Sequence, residues 1–178
     1  MAFQRWPTWR NSELSRTPRA ILITVSDSVS RGEREDLSGP AARGVLEPMG
    51  FEVVGIEIVP DEFEQIRTKL LQVCQIEDID LALTVGGTGL GPRDVTPEAT
   101  LAVIEREVPG LPELMRSEGR KSTPLAALSR ARSGIRHKTL ILNLPGSVKG
   151  VTECLKAVAR VLPHALDVVS GSVLRCGG

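Results

Sequence analysis

The sequence predicts a three-layer α/β/α protein with a mostly parallel sheet, and three features of the chain support that prediction. Short apolar runs of strand length alternate with segments whose apolar residues recur at helical spacing, the pattern of successive β-α-β units. The apolar runs are continuous rather than alternating, as in strands that helices cover on both faces. Glycine and proline residues stand at the junctions between these segments, where turns and helix ends are expected.

The elements follow in order along the chain. Four strands are predicted, at residues 21–25, 53–59, 81–85 and 139–144. Helices are predicted from Ser38 to about Met49, at 63–73, from Thr96 to Val108, at 148–158 and from about Pro163 to Val173. Ser38 or Gly39 before Pro40, and Thr96 before Pro97, are residue types that begin helices. Residues 110–138 interrupt the alternation and predict short helices and a small hairpin that turns near His137.

One domain is expected over residues 19–174, because a chain of 178 residues is long enough to bury a sizeable core. Residues 1–18 contain Trp6, Trp9 and several arginines but no apolar period, which predicts a flexible N-terminal tail. A tryptophan motif that binds a partner is the alternative for this segment. Residues 175–178 are predicted to form a short C-terminal tail.

Composition argues against several classes of protein. The formal net charge is zero, so the molecule as a whole is not expected to bind nucleic acid. No apolar run approaches the roughly 20 residues of a membrane span, and the N-terminus has no signal-peptide core. Cys74, Cys154 and Cys176 include no Cys-x-x-Cys pair, which argues against a disulfide framework and a zinc site. A cytoplasmic protein is therefore expected.

Positive charge is concentrated between Met115 and Lys138, where seven basic residues stand against Glu118 alone. Such a segment forms either a solvated face or the wall of a site for an anionic ligand. Charge alone leaves both interpretations open.

The most informative segment is the glycine loop, residues 86–91, between the third strand and the next helix. Its four glycines, Gly86, Gly87, Gly89 and Gly91, fall within six residues, at the kind of crossing where open α/β sheets bind ligands. The loop matches neither a Walker A motif nor a dinucleotide fingerprint. A plain turn is the alternative, but the entropy cost of four glycines favours a nest of N–H groups for an anion. Glu98 would repel a phosphate at the next helix end, so phosphates are expected over the loop.

Two aspartates accompany the loop. Asp94 follows Arg93 and is either a loop cap or a ligand of Mg²⁺, which takes one or two carboxylates with substrate phosphates. Asp61 follows the second strand and is either a helix N-cap or a second ligand. The ends of the second and third strands can be neighbours in a parallel sheet, which would let both carboxylates face one metal ion.

Polar residues also end the other strands. Ser26 and Asp27 follow the first strand and suit either turn formation or ligand contact. Ser38 and Gly39 open a helix whose free N–H groups suit a phosphate. Asn143 interrupts an apolar strand just before Pro145. A buried Asn must find hydrogen-bond partners, so a ligand contact is one interpretation.

Taken together, these segments resemble the MogA/MoaB family, especially the molybdopterin adenylyltransferases and the G domain of gephyrin. The resemblance extends from about Arg19 to Leu174. Its most specific motif is Gly86-Gly87-Thr88-Gly89 with Pro92-Arg93-Asp94-Val95-Thr96-Pro97. The other matching segments are residues 24–28, 36–40, 59–62, 129–136 and 143–146. The chain departs from gephyrin-like members at Ser147-Val148, where they usually have Asn-Pro.

The resemblance implies that molybdopterin and Mg-ATP react to give adenylylated molybdopterin and pyrophosphate, with Asp61 and Asp94 as catalytic residues and Mg²⁺ ligands. It also implies a homotrimer and a molybdenum insertion enzyme that acts downstream. Arg130 and Arg136 are expected to attract the anionic pterin. The implied nucleotide and substrate contacts are Ser26, Asp27, Ser38, Gly39, Gly86, Gly87, Thr88, Gly89, Arg93, Ser129, Arg130, Arg136, Asn143, Pro145 and Gly146. A non-catalytic paralogue that binds or delivers molybdopterin is the alternative.

Overall fold

The computed structural model describes residues 16–172, and its centre is one six-stranded sheet. The strands are β1 (Arg19–Val25), β2 (Glu52–Val59), β3 (Leu81–Val85), β4 (Arg106–Glu107), β5 (Ser133–Arg136) and β6 (Thr139–Leu144). Their order across the sheet is β2-β1-β3-β6-β5-β4. The first four in this order are parallel, whereas β5 and β4 pair antiparallel at one edge. All four strands predicted from the sequence are present.

Of the seven α-helices in residues 16–172, five lie between strands along the chain and two follow the last strand. They are α1 (Asp27–Ser30), α2 (Ser38–Leu46), α3 (Phe63–Val73), α4 (Thr96–Leu101), α5 (Gly110–Gly119), α6 (Val148–Val158) and α7 (Leu162–Ser170) within residues 16–172. Two short 3-10 helices, Glu47–Met49 and Pro124–Leu128, complete the connections. None of the helices in this described part is long and apolar enough to cross a membrane.

Helices cover both faces of the sheet, as predicted. Leu22 and Leu83 pack on one face with residues of α2, α5, α6 and α7. Ile23 and Ala82, their neighbours along the strands, pack on the other face with residues of α3 and α4. Successive strand residues point to opposite faces, so a continuous apolar run supplies two cores at once. The predicted three-layer α/β/α class is confirmed.

The predicted helix from Thr96 to Val108 is wrong in its second half. α4 ends at Leu101, and the chain then forms the edge strand β4. The N–H of Glu105 donates to the carbonyl of Ile135 at 2.9 Å, and that of Val108 donates to Ser133 at 2.8 Å. Ile104 and Val108 still pack against the core. Their spacing therefore reflects burial beside β5 rather than a continuing helix.

The predicted hairpin is present between β5 and β6. Arg136 pairs with Thr139, and His137 takes a left-handed φ of 52° in the turn. This turn lies at the amino-terminal end of β6, opposite to the end where the strands of the parallel sheet meet the candidate site.

The start of the described chain is tied to this same opposite end. Arg16 Nη1 donates to Asp80 Oδ2 at 2.8 Å, and the Pro18 carbonyl accepts from the Glu52 N–H at 2.9 Å. The rest of the predicted N-terminal tail, with Trp6 and Trp9, lies outside the described residues. The predicted C-terminal tail with Cys176 lies outside them too.

Candidate active site

The segments that follow four parallel strands meet at one edge of the sheet. Ser26 and Asp27 follow β1, Asp61 follows β2, the glycine loop follows β3, and Pro145 with Gly146 follows β6. β1 lies between β2 and β3, so the second and third strands are not direct neighbours. Asp61 nevertheless approaches the loop, because a Cβ on Gly87 would lie 3.2 Å from Asp61 Oδ1.

Asp27, the first residue of α1, holds Asp61 in place. The Asp27 N–H donates to Asp61 Oδ2 at 2.8 Å, and the Asp61 N–H donates back to Asp27 Oδ1 at 3.1 Å. Arg93 reaches across from the other side and contacts both carboxylate oxygens of Asp27, at 2.9 and 3.1 Å. Such two-pronged pairing lowers the pKa of the Asp27 carboxyl. Arg93 and Asp27 thus form a brace beside Asp61.

Asp61 is the electrostatically unusual residue of the site. Burial raises the pKa of its carboxyl, and the nearby charges of Asp27 and Asp94 raise it further. The Asp27 N–H and Arg93 oppose this shift without cancelling it. A carboxyl group in a cleft whose pKa is shifted by burial and by neighbouring charges is typical of functional sites.

This shift has a measurable consequence for stability. Because the folded pKa of Asp61 exceeds its unfolded value, its contribution to stability falls as pH rises from the ordinary carboxyl range through the folded pKa. We expect Asp61→Asn to gain thermal stability relative to wild type at about pH 7, and the gain to shrink towards about pH 4. Thermal unfolding at both pH values measures this, with Glu64→Gln on α3 as a matched loss of charge. If the difference in melting temperature between Asp61→Asn and wild type became smaller as pH rises, the raised pKa of Asp61 would be contradicted.

Two glycines of the loop are required by close approach and by backbone conformation. Gly86 has φ 115° and Gly87 has φ 64°, values that favour glycine. A Cβ on Gly86 would overlap the Val25 carbonyl oxygen, and one on Gly87 would overlap Thr96 Oγ1. The loop therefore packs directly onto the ends of β1 and α4.

The loop presents N–H groups that the protein does not use. The Gly86 N–H donates to Leu144 at 3.1 Å. The N–H groups of Gly87, Thr88 and Gly89 have no hydrogen-bond partner within residues 16–172. The N–H of Thr96 at the start of α4 donates to the Gly87 carbonyl at 3.2 Å. The start of α4 therefore offers an anion fewer unused N–H groups than the loop does, and a phosphate over the loop stays a prediction.

Asp94 closes the loop from its far end. Its Oδ2 accepts from the Gly91 N–H at 2.7 Å, and its own N–H donates to the Gly91 carbonyl at 3.0 Å. Asp94 is therefore a loop cap, one of its two predicted roles. Its Oδ1 keeps no hydrogen-bond partner in the described chain, so the cap leaves one oxygen for a ligand.

Arg130 was expected to attract a pterin, but its charge faces the protein. Its Nε donates to the Gly89 carbonyl at 2.7 Å. Its two terminal nitrogens contact the Glu98 carboxylate and the Asp94 carbonyl. Glu98 is thereby paired, and its charge does not act alone on the helix end.

Three other arginines of the basic segment also bond to the protein, and only Arg116 among them lines a cleft beside the loop. Arg116 Nη1 donates to the carbonyls of Ser129 and Ala131 at 3.3 and 3.4 Å. Arg132 pairs with Glu107 at 2.9 Å. Arg136 donates to the Val103 carbonyl at 2.9 Å, at the amino-terminal end of β6. The structure therefore does not bring Arg136 together with the other predicted site residues.

Asn143 is fully buried and has its partners inside the protein. Its Nδ2 donates to the hydroxyls of Thr84 and Thr100, both at 2.8 Å, and its Oδ1 accepts from the Arg132 N–H at 3.0 Å. These bonds tie β6 to β3, to α4 and to the chain before β5. Asn143 lines neither of the two clefts beside the loop, so its bonds give it a structural role in place of the predicted ligand contact.

We expect Asn143→Ala to lower the free energy of unfolding by about 2–4 kcal/mol, because it leaves buried hydroxyls and an N–H unpaired. Equilibrium denaturant unfolding at a fixed protein concentration measures this. Thr152→Ala, which removes an exposed hydroxyl bonded to Val148, is the control and should change stability little. A normal stability with weakened nucleotide binding would instead support the ligand contact.

The start of α2 is closed by a side chain that the sequence analysis did not assign. Asp36 Oδ1 accepts from the N–H groups of Ser38 and Gly39, both at 3.0 Å, and Pro40 has no N–H to offer. The free N–H groups predicted there for a phosphate are therefore already used. The Ser38 hydroxyl donates to the Gly146 carbonyl at 2.7 Å and so fixes the turn after β6.

That turn leads into the start of α6, where the sequence analysis assigned Gly146 to binding but not Ser147, Val148 or Lys149. Ser147 caps α6 by accepting from the Gly150 N–H at 3.1 Å. The N–H groups of Gly146, Ser147, Val148 and Lys149 have no hydrogen-bond partner among the described residues. A Ser before an apolar helix stripe is a sequence signal for this cap.

Two clefts flank the loop and share one wall. The first has a volume of about 490 Å³, with Gly89 and Asp94 on one side and Met115, Leu125 and Leu128 on the other. The second has about 470 Å³ and is lined by polar groups that include Ser26, Asp36, Ser38 and Asp61. Gly87, Gly146 and Ser147 line both clefts. Ser129 and Pro145 line the first.

Asp61 and Asp94 fit Mg²⁺ only together with a ligand that brings oxygens. No group of three metal-binding side chains converges within residues 16–172. Each aspartate keeps Oδ1 without a hydrogen-bond partner in that range, and the charge of Asp94 is felt at Asp61. Mg²⁺ commonly takes one or two carboxylates plus substrate phosphates, so this pair suits a cation that arrives with a polyphosphate.

The fold and the site define a class of protein. It is an α/β protein whose strand ends present unused N–H groups beside two carboxylates, between an apolar cleft and one of mixed lining. Such a site suits an organic molecule that carries phosphates, and it offers room for two ligands side by side.

Comparison with known proteins gives the family. Residues 21–164 match the model of the probable molybdopterin binding domain, and the chain belongs to this family. The predicted MogA/MoaB resemblance is thereby confirmed.

The similar proteins share most of this chain. A molybdopterin adenylyltransferase of Helicobacter pylori strain J99 is 43% identical over 159 residues, which cover 86% of this chain and 89% of that protein. The solved structure of the molybdopterin biosynthesis enzyme MoaB from Thermus thermophilus is 56% identical, with a TM-score of 0.82, and covers 86% of this chain and 96% of that one. Gephyrin of Dictyostelium discoideum is 38% identical over 84% of this chain, which spans 22% of its length.

Proposed function

We propose that this protein is an enzyme of molybdenum cofactor biosynthesis that transfers the adenylyl group of ATP to molybdopterin. The observation that carries the proposal is the wall shared by the two clefts. Gly87, Gly146 and Ser147 line both clefts, with Asp94 in one and Asp61 in the other. Two substrates that occupy the two clefts would bring their phosphates together at this wall. The relatives named molybdopterin adenylyltransferase support the same activity.

The reaction needs positioning more than covalent help. An oxygen of the molybdopterin phosphate attacks the α-phosphorus of ATP, and the bond from that phosphorus to the bridging oxygen breaks. Adenylylated molybdopterin and pyrophosphate are formed. Holding both phosphates in line at the wall lowers the barrier, because the two reactants no longer need to meet from solution.

The main chain provides the groups that receive the developing charge. The glycine loop contributes the unpaired N–H groups of Gly87, Thr88 and Gly89 to phosphate oxygens at the wall. The start of α6 contributes those of Gly146 to Lys149, where the helix dipole also favours an anion. Donors that are already in place stabilise the transition state without reorganisation.

Asp61 and Asp94 are the proposed holders of Mg²⁺. The ion, when bound, offsets negative charge on the transferred phosphates. Asp61 and Asp94 would hold it with the carboxylate oxygens that have no hydrogen-bond partner among the described residues. The brace of Arg93 and Asp27 keeps the Asp61 carboxylate in its place, and the Gly91 N–H does so for Asp94.

The proposal is tested by incubating the protein with molybdopterin, Mg²⁺ and ATP and measuring pyrophosphate. We expect pyrophosphate release that needs all three components. Binding of molybdopterin without ATP consumption would show a paralogue that only binds or delivers the pterin. Omission of each component in turn is the control for contaminating ATPases.

The family resemblance also supports proposals about the oligomeric state, the downstream partner and the cellular compartment. We infer a homotrimer whose product passes to a molybdenum insertion enzyme. Light scattering coupled to gel filtration measures the first point, and a stable monomer would refute it. The unpaired thiols of Cys74 and Cys154 suit a cytoplasmic protein.

A further inference from the structure

One arginine side chain holds the loop that carries Asp94. The three nitrogens of the Arg130 guanidinium contact the Gly89 carbonyl, the Asp94 carbonyl and the Glu98 carboxylate. The backbone N–H of Arg130 donates to the Thr88 carbonyl at 3.0 Å. A single residue therefore binds three carbonyls of one short segment.

That segment needs such support because it is rich in glycine. Glycine loses more conformational freedom on folding than any other residue, so residues 86–91 are costly to hold in one conformation. Inside the loop, Asp94 is tied only to Gly91, through its side chain and its N–H. Arg130 adds the tie at the Asp94 carbonyl. The guanidinium is a rigid fork and is suited to fixing several acceptors at set distances.

Arg130 is also poorly placed to bind a substrate. Its side chain is 34% exposed, yet it is not among the residues that line either cleft. It faces a separate cavity of about 260 Å³ behind the loop, with Glu98 and Arg116. An anionic substrate would have to displace Glu98 and two carbonyls before it reached this charge.

We propose that Arg130 is a positioning residue, which fixes Asp94 and the N–H groups of Gly87, Thr88 and Gly89 for adenylyl transfer without contacting molybdopterin. The proposal rests on the proposed function. It replaces the sequence-based expectation that this arginine attracts the pterin. Its charge is balanced by Glu98, and its donors are used by the protein.

The test compares Arg130→Lys with Arg132→Lys. A lysine keeps the charge but offers its donors from one point, so it cannot span all three acceptors. Arg132 lies two residues away in the same basic segment, and its side chain pairs with Glu107 away from the loop. We expect Arg130→Lys to lower kcat for pyrophosphate release about 100-fold, as displaced catalytic groups do. The Kd for molybdopterin should stay within about twofold, and Arg132→Lys should resemble wild type.

Amide hydrogen exchange provides a measurement that does not depend on turnover. We expect the hydrogen-bonded amides of Gly86, Gly91 and Asp94 to exchange faster in Arg130→Lys than in wild type or Arg132→Lys, with exchange in β1 and β3 unchanged. A lower melting temperature with normal kcat would reduce Arg130 to a structural role and overturn the proposal. A weakened Kd for molybdopterin at normal kcat would make it a ligand and overturn the proposal too.

The two proposals fail in different ways. If wild type binds molybdopterin but releases no pyrophosphate, the proposed function fails. The positioning role for adenylyl transfer then fails with it, and the exchange experiment shows only whether Arg130 holds the loop. Faster exchange of the bonded loop amides confined to Arg130→Lys would show that it does. If wild type is active and Arg130→Lys matches it in kcat and exchange, only the positioning role fails.

Discussion

Replacing Asp94 with Asn is expected to abolish pyrophosphate release while leaving the fold intact. The amide oxygen of Asn can still accept the Gly91 N–H that Asp94 Oδ2 accepts at 2.7 Å, so the loop keeps its cap. The variant loses the negative charge needed to hold Mg²⁺ and its phosphates at the wall. We expect a loss of at least about 100-fold, the scale seen when one charge-stabilising group is removed from an active site. Molybdopterin-dependent pyrophosphate release measures it.

The matched control is Glu64→Gln, an exposed carboxylate on α3 that loses the same charge away from the clefts. It should retain wild-type activity. Thermal unfolding should show both variants folded. Full activity in Asp94→Asn would refute the metal-holding role of Asp94.

Replacing Gly86 with Ala is expected to cause the largest loss of stability among single changes in the loop. Gly86 has φ 115°, and an added Cβ would overlap the Val25 carbonyl oxygen. Both the backbone and the packing of β1 would have to shift. We expect a loss of about 3 kcal/mol, which lowers the melting temperature by roughly 6–12 °C in a protein of this size.

Gly44→Ala is the matched control for this substitution. Gly44 lies exposed in α2, and nothing lies within 4 Å of an added Cβ. Alanine is the better helix former, so this change should raise stability slightly. Equal effects of the two substitutions on the melting temperature would show that the close approach of Gly86 to Val25 is not needed.

The sequence was sufficient to predict the fold class and the edge of the sheet where the site lies. Buried parallel strands read as continuous apolar runs, and their carboxyl ends meet at one edge whatever the strand order. The glycine loop could be assigned to that edge because strand and helix signals flank it. The order of the strands could not be read in the same way, so the position of Asp27 between Asp61 and the loop was not foreseen.

The roles of individual polar residues were harder to predict, because they depend on partners far along the chain. Arg130 finds the carbonyl of Gly89, and Asn143 finds the hydroxyls of Thr84 and Thr100. A local pattern shows only that such residues must be satisfied, not by which group. The same limit explains why Ile104 and Val108 predicted a helix. Apolar spacing indicates only that residues are buried, and Ile104 and Val108 are partly buried on either side of the short edge strand β4.

The fate of the α-phosphorus of ATP tests the central claim most directly. The protein is incubated with molybdopterin, Mg²⁺ and ATP radiolabelled on either the α- or the γ-phosphorus, and the labelled products are separated. The account predicts that the α-label appears on molybdopterin together with the adenosine, while the γ-label leaves as pyrophosphate. Transfer of the γ-label to the pterin, or bound molybdopterin that acquires no label, would contradict it.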